Sequence, residues 1–251
     1  MKLKRINSIA EYILSYDVCT YEELCEHFDV SLSTMRRDVE ELIAKGIVEK
    51  TYGGIRKAEN YKEDTQEHSS LFKFDYNKDK IARAASELVE DNEIIALASG
   101  TTVAHMVRYL KDKRNLTIIT NNLLVLNEAL RYNMNVISIG GILDRKVLST
   151  ASTQAIMQMR DLNADKCFIS CNGITNKGIS NVADLEANMK KAEIEISREV
   201  IVLTDSSKFG VTSLYTICSM EDIDIVVTDK PISKELRKEY RTAKVDVIVA
   251  K

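Results

Sequence analysis

Residues 20–57 read TYEELCEHFDVSLSTMRRDVEELIAKGIVEKTYGGIRK, and the order of signals in this stretch decides the fold of the amino-terminal part of the chain. Thr20 followed by Glu23 is a capping box, in which two side chains satisfy two orphan backbone N–H groups reciprocally. A helix therefore starts there and runs to about Phe28, with Leu24 and Phe28 on its buried stripe. Asp29-Val30 is a turn. Ser31 caps the next helix, whose apolar positions Met35, Val39, Leu42 and Ile43 face inward. Gly46 ends it as a residue suited to left-handed backbone. Short strands at 47–50 and 55–57 flank Gly53-Gly54, the pattern of a β-hairpin wing. Upstream, Ile6, Ile9, Ala10, Ile13 and Leu14 recur at helical spacing across residues 3–16.

Two helices joined by a tight turn and followed by a wing form a reading head for double-stranded DNA. A recognition helix enters the major groove by its amino-terminal end, where small polar and basic side chains reach base edges and phosphates. Ser31, Ser33, Thr34, Arg36 and Arg37 supply that set. Lys50, Arg56 and Lys57 on the wing, and Lys2, Lys4 and Arg5 at the start of the chain, are placed to clamp flanking backbone. The competing reading is a solvated helix on which Arg36 and Arg37 only pair with Asp38, Glu40 or Glu41, a common and weak arrangement. DNA binding also requires Glu22, Glu23, Glu26, Glu40 and Glu41 to lie away from the DNA face.

Net charge does not announce a nucleic-acid binder. The 251 residues carry a formal charge of −3, so affinity for DNA has to come from local placement. No apolar run reaches the roughly 20 residues of a membrane span. The start, MKLKRINSIAEYIL, reads as an amphipathic helix rather than a signal peptide, and the expected location is the cytoplasm. Cys19, Cys25, Cys167, Cys171 and Cys218 include no Cys-x-x-Cys pair and read as reduced core or half-buried thiols. No metal and no cofactor is expected.

Residues 58–77 are polar and aperiodic, a linker whose Leu71, Phe72 and Phe74 are candidate anchors on the next domain. The domain reading is 1–57 for the DNA-binding head and 78–251 for a second, larger domain. There a helical pattern at 79–90 precedes apolar runs at 94–98, 116–120, 136–139, 167–170, 200–204, 225–228 and 245–249. Helical segments alternate with them at 102–111, 122–132, 153–162, 184–197 and 233–241. Such alternation implies α/β architecture, a mostly parallel sheet covered on both faces.

Each of five runs leads into small, polar or glycine-rich residues: Ser99-Gly100-Thr101-Thr102, Asn121-Asn122, Gly140-Gly141, Asn172-Gly173 and Asp205-Ser206-Ser207-Lys208-Phe209-Gly210. Open α/β sheets bind ligands in the crevice at the carboxyl ends of their strands. Hydroxyls, backbone N–H groups and a helix start at 99–102 suit a phosphate, and Lys208 adds a cation from across the crevice. Singly, each of these segments is also an ordinary turn.

The run VSLSTMRRDVEELIAKGIVEKTYGGI resembles the amino-terminal signature of the DeoR family of bacterial transcription regulators: Val30-Ser31, then Thr34 to Asp38, Gly46 and Gly53-Gly54. The resemblance extends over nearly the whole chain. It implies a second half similar to ribose-5-phosphate isomerase and glucosamine-6-phosphate deaminase, used to sense a phosphorylated sugar. Ser99, Gly100, Thr101, Thr102, Asn121, Gly140, Gly141, Asn172, Gly173, Lys191 and Lys208 are the effector-site residues that these turns and the resemblance together nominate. Three positions depart from the family pattern. Ala98, Asn172 and Ala187 each stand where a carboxylate is usual, which argues against isomerase activity and leaves the ligand typical, altered or absent.

The leading expectation is thus a repressor of carbohydrate-metabolism genes. It binds operator DNA as a homodimer or homotetramer and answers to a phosphorylated sugar. The alternatives are a DNA-binding protein whose second domain only oligomerises, and a sugar-phosphate enzyme using Asp184, Glu186 or Asp205 as acid and base.

Overall fold

The computed structural model describes residues 2–14, 16, 18–44, 46–58 and 75–250. The chain divides into two compact units between Asp75 and Tyr76. Most of the expected linker, residues 59–74 with Leu71, Phe72 and Phe74, lies outside the described residues, as do the side chains of Lys2 and Lys4.

The first unit is a winged helix-turn-helix: α1 (Lys2–Leu14), α2 (Tyr21–Phe28), α3 (Leu32–Ala44), then β1 (Val48–Thr51) paired antiparallel with β2 (Gly54–Lys57). The capping box forms as read, with Thr20 Oγ1 accepting from the Glu23 N–H at 3.2 Å and Glu23 Oε2 accepting from the Thr20 N–H at 2.8 Å. At the other end of α2, Asp29 takes left-handed backbone (φ 49°), which turns the chain towards α3. α3 closes with Gly46 at φ 67°, its N–H bonded to the Ile43 carbonyl and the Ile47 N–H to the Leu42 carbonyl, the pattern of a Schellman stop. Ile6, Ile9, Ile13, Leu24, Met35, Val39, Leu42, Val48 and Ile55 are buried together and make one small core. Cys19 adds a bridge to Ile55 beside the hairpin, and its carbonyl comes so near Gly54 that a Cβ there would sit 2.3 Å away. Only glycine admits that approach.

The second unit begins with α4 (Tyr76–Ser86) and alternates thereafter: β3 (Ile94–Leu97), α5 (Thr101–Ala104), α6 (Val107–Leu110), β4 (Thr117–Thr120), α7 (Leu123–Arg131), β5 (Asn135–Ser138), β6 (Ile142–Asp144), β7 (Ser149–Ala151), α8 (Thr153–Arg160), β8 (Ala164–Ser170), β9 (Gly173–Thr175), β10 (Gly178–Asn181), α9 (Asp184–Glu195), β11 (Ser197–Leu203), β12 (Tyr215–Cys218), β13 (Ile225–Thr228), α10 (Lys234–Thr242) and β14 (Asp246–Val249). Seven strands form one parallel sheet in the order β14-β13-β11-β8-β3-β4-β5. These are the seven apolar runs of the sequence. Their β-branched centres, such as Ile95, Ile118, Ile201, Val202, Val226 and Val227, are fully buried or nearly so, as a sheet covered on both faces requires.

Two features differ from the sequence reading. The helix expected at 102–111 breaks into α5 and α6 around His105 and Met106, both fully buried. The antiparallel pairs β6–β7 and β9–β10–β12 have no counterpart among the expected elements. Cys19, Cys167 and Cys171 are buried, and Cys25 and Cys218 half-buried.

α9 carries an unusual group. Glu193 is buried, and among the described residues neither carboxyl oxygen has a hydrogen-bond partner. Burial pushes this carboxyl up to about 8, against the opposing pull of Lys190. The folded chain therefore holds a proton there that the unfolded chain releases near its ordinary value of 4.5, so stability falls as pH rises from 4.5 to about 8. Glu193→Gln is expected to flatten that fall and to be the more stable protein above pH 8, by a few kcal/mol. Denaturant midpoints of both proteins across roughly pH 5 to 9 check this; parallel profiles refute it.

Candidate nucleic-acid interface and ligand crevice

At the start of α3 the polar side chains come together. Ser31 Oγ lies 3.1 Å from Ser33 Oγ and 2.9 Å from Thr34 Oγ1, and it accepts from the Thr34 N–H at 3.4 Å. Ser31, Ser33, Arg36 and Arg37 are exposed, and Thr34 is half-buried. Among the described residues neither Arg36 nor Arg37 makes an ion pair; the Arg36 guanidinium stands 5.9 Å from the centre of the Tyr21 ring. The alternative in which both arginines are consumed by neighbouring carboxylates does not describe this helix. Asp38 instead turns inward, 1% exposed, and accepts from Arg5 Nε at 2.7 Å, tying α1 to α3. Arg5 is thereby committed to the fold rather than set aside for backbone phosphates.

The wing cations stand differently. Lys50 pairs with Glu40 at 3.6 Å, and Arg56 with Glu49 at 2.7 Å, all four substantially exposed. Tyr52 at the hairpin tip is fully exposed, a residue that sequence patterning does not single out.

In the second unit, β3 and β8 are parallel neighbours whose onward connections lead to opposite edges of the sheet. That is a topological switch point, where strand-end loops diverge and leave a crevice. A crevice of about 620 Å³, open to solvent, lies there, lined by Lys78, residues 100–102, residues 170–172, residues 203–205 and Lys208. Gly100 takes φ 121°, and a Cβ on it would lie 2.2 Å from Ser170 Oγ, so the two loops touch only because this residue is glycine. Ser170 Oγ donates to the Ser99 carbonyl at 2.9 Å. Asn122 braces the same turn, donating from Nδ2 to the carbonyls of Ala98 at 3.0 Å and Gly100 at 3.1 Å. The Lys208 loop is fixed by Asp205, whose Oδ1 accepts from the Ser207 N–H and hydroxyl, and by Asp229, which accepts from the Ser206 N–H at 2.6 Å.

Of the residues nominated from sequence, Gly100, Thr101, Thr102, Asn172 and Lys208 line this crevice. Ser99, Asn121, Gly140, Gly141, Gly173 and Lys191 are not among the lining residues. Ser99 and Asn121 are buried in the supporting turns, Asn121 donating to the Thr150 carbonyl at 2.7 Å. Gly141 and Gly173 pack against the backbones of Ala151 and Val211, and Gly140 is exposed. Beside Lys191, it is Lys190 that is buried and donates from Nζ to the Ser170 carbonyl at 2.9 Å, beneath the lining. Asp205, which opens the strand-end segment that carries Lys208, lines it too, and Lys78, Ser170, Cys171, Leu203 and Thr204, which the turn rules do not nominate, complete the wall. Cys171 lies within the electrostatic reach of Lys190 and Lys208, although burial dominates and pushes its thiol up. The departures at Ala98 and Ala187 fall in the hydrophobic core; Asn172 alone of the three faces the crevice, its Oδ1 accepting from the Val182 N–H at 3.4 Å.

Comparison with known proteins matches residues 5–60 to the DeoR-like helix-turn-helix domain and residues 74–230 to the DeoR C terminal sensor domain. The chain is 37% identical to the HTH-type transcriptional regulator IolR of Bacillus subtilis strain 168, over 94% of each chain. It is 31% identical to the glycerol-3-phosphate regulon repressor of Escherichia coli K12, over 91% of each. Among solved structures, ribose 5-phosphate isomerase A of Methanocaldococcus jannaschii aligns with a TM-score of 0.39 at 18% identity, covering 53% of each chain.

Arg37→Ala is expected to weaken operator binding by about 1–3 kcal/mol with the fold intact. Arg5→Ala is expected to lower the thermal midpoint by leaving the buried Asp38 carboxylate unpaired. Gel-shift titrations and melting curves on both variants separate the two roles, and an Arg37→Ala protein with undiminished affinity would misplace the reading helix.

Proposed function

The chain belongs to the DeoR family of DNA-binding transcriptional regulators, and on that premise we propose that it represses carbohydrate-metabolism genes in the cytoplasm, under the control of a phosphorylated sugar or a related metabolite. The observation that carries this reading is the crevice at the β3/β8 switch point. It gathers Thr101, Thr102, Ser170 and Thr204, with Lys78 and Lys208, in the lining of one open cleft. Ammonium groups and hydroxyls are donors suited to phosphate oxygens, and the remaining polar groups suit sugar hydroxyls. The reading head then uses Ser31, Ser33, Thr34, Arg36 and Arg37 in the major groove, with Lys50 and Arg56 on flanking phosphates. Operators with two-fold symmetry call for paired heads, hence a homodimer or homotetramer.

Binding without turnover is the better account of the crevice. Asp205 is the one carboxylate among its lining residues, and its Oδ1 is already engaged by Ser207. Isomerising a sugar phosphate needs a base and an acid on the reacting carbons. A purely oligomerising second unit is the weaker alternative, because two of the three lost carboxylates, at Ala98 and Ala187, fall in the core and leave the lining unchanged.

A ligand that binds only the folded state raises its stability, by about 2.7 kcal/mol at 100 times Kd. Screening aldose, ketose and polyol phosphates by thermal shift is therefore expected to yield at least one compound that raises the melting temperature. That compound should also change DNA affinity, and Lys208→Ala should blunt both effects. A screen in which no phosphorylated compound moves either readout sinks the proposal.

A further inference from the structure

We propose that α10 binds the phosphate backbone of duplex DNA without reading its sequence, a DNA-contacting surface of the second unit in addition to the reading head. The nine residues KELRKEYRT divide into three sectors around the helix. Leu236 and Tyr240 turn towards the core, with Tyr240 fully buried. Glu235 and Glu239 share a second sector. Lys234, Arg237, Lys238 and Arg241, spaced three and four residues apart, share the third, an arc of about 100°. All four are exposed, and none makes an ion pair among the described residues. The helix follows residue 230, where the match to the sensor domain ends.

A solvated helix face often carries charge of both signs. This one carries a single sign, in a chain whose formal charge is −3. The four cations lie within about 10.5 Å along the helix axis, and duplex DNA offers one negative charge per about 1.7 Å of its own. The positive character also continues past the helix, onto β14, the outermost strand of the sheet at that edge. A groove of about 320 Å³ lies between Arg237, Arg241 and residues 245–247. A second, of about 770 Å³, lies between Lys80 and Arg83 of α4 and residues 248–250. Each groove sets two cations against one carboxylate, Asp246 in the first and Glu87 in the second. Lys50 and Arg56 on the wing would exchange a carboxylate for a phosphate. The α10 cations have no such partner to give up, so their contact with phosphates releases counterions outright. Phosphate contacts of this kind carry no sequence information.

Fluorescence anisotropy of the full chain with labelled duplexes of several arbitrary sequences, over a range of salt concentrations, tests this. The double variant Lys238→Gln, Arg241→Gln is expected to bind every duplex about tenfold more weakly at low salt. The slope of log affinity against log salt is expected to shrink by about 1.8, the loss of two phosphate contacts. The pair Lys146→Gln, Lys177→Gln makes the same charge change at exposed positions elsewhere and is expected to leave affinity and slope as they are. An equal loss there reduces the effect to bulk charge and overturns the proposal. The pair Glu235→Gln, Glu239→Gln is expected to tighten binding severalfold, a gain that damage to the fold cannot imitate. Wild-type affinity and slope in the Lys238→Gln, Arg241→Gln protein overturn the proposal, as does a loss confined to one sequence. Vesicles of phosphatidylglycerol supply the competing polyanion. A double variant that loses vesicle binding and keeps its DNA affinity would assign the stripe to a membrane surface, and the proposal would fall.

Discussion

The contact on which the sensing unit depends is the pairing of β3 with β8 and the closeness of the loops that leave them. Both strands end at the same rim, yet the chain approaches β8 only after building β4 and β5 on the far side of β3. The loops must then cross within touching distance, and a side chain at residue 100 would forbid it. Ser170 turns this proximity into a hydrogen bond to the Ser99 carbonyl, and Asn122 secures the turn from the β4 side. The cleft is a by-product of that geometry: three strand ends converge, their loops splay, and whatever polar groups the loops carry face a common space.

Much of this is legible in the sequence, for identifiable reasons. Seven β-branched runs become seven parallel strands because strands buried on both faces read as continuous apolar segments. The head is legible because its ends are chemically marked, by Thr20 and Glu23 at one helix start and Gly46 at another helix stop. The antiparallel insertions escape because strands of three or four residues are too short to show alternation. The site is harder. Turn chemistry marks where strands end, but not whether a glycine serves a ligand or a neighbouring backbone, and Gly141 and Gly173 do the latter. Lys190 and Lys191 are adjacent in sequence and about 100° apart around a helix, so which one points inward depends on packing. Lys78 escapes because it stands before the first strand, where no strand-end rule looks.

Asp38 offers the converse lesson. Its place in the sequence makes it a surface partner for Arg36 and Arg37, yet it falls on the stripe of Met35, Val39 and Leu42, at the three- and four-residue spacing that faces the core. A carboxylate on that stripe must find a buried cation, and Arg5 supplies it. The pairing leaves Arg36 and Arg37 outside any ion pair among the described residues, which is how a chain of net charge −3 keeps positive side chains exposed on the reading helix.

The wing ion pairs bear on how the head samples a genome. Lys50 and Arg56 are already neutralised by Glu40 and Glu49. A cation satisfied by its neighbour gains little from a phosphate unless the carboxylate it abandons is itself compensated, by water or a solvent ion. Contact of the wing with arbitrary DNA is therefore close to an exchange of partners and yields little counterion-driven affinity. In the proposed mode of binding, discrimination then falls on α3, because the wing pairs offset part of what Lys50 and Arg56 would gain from phosphates.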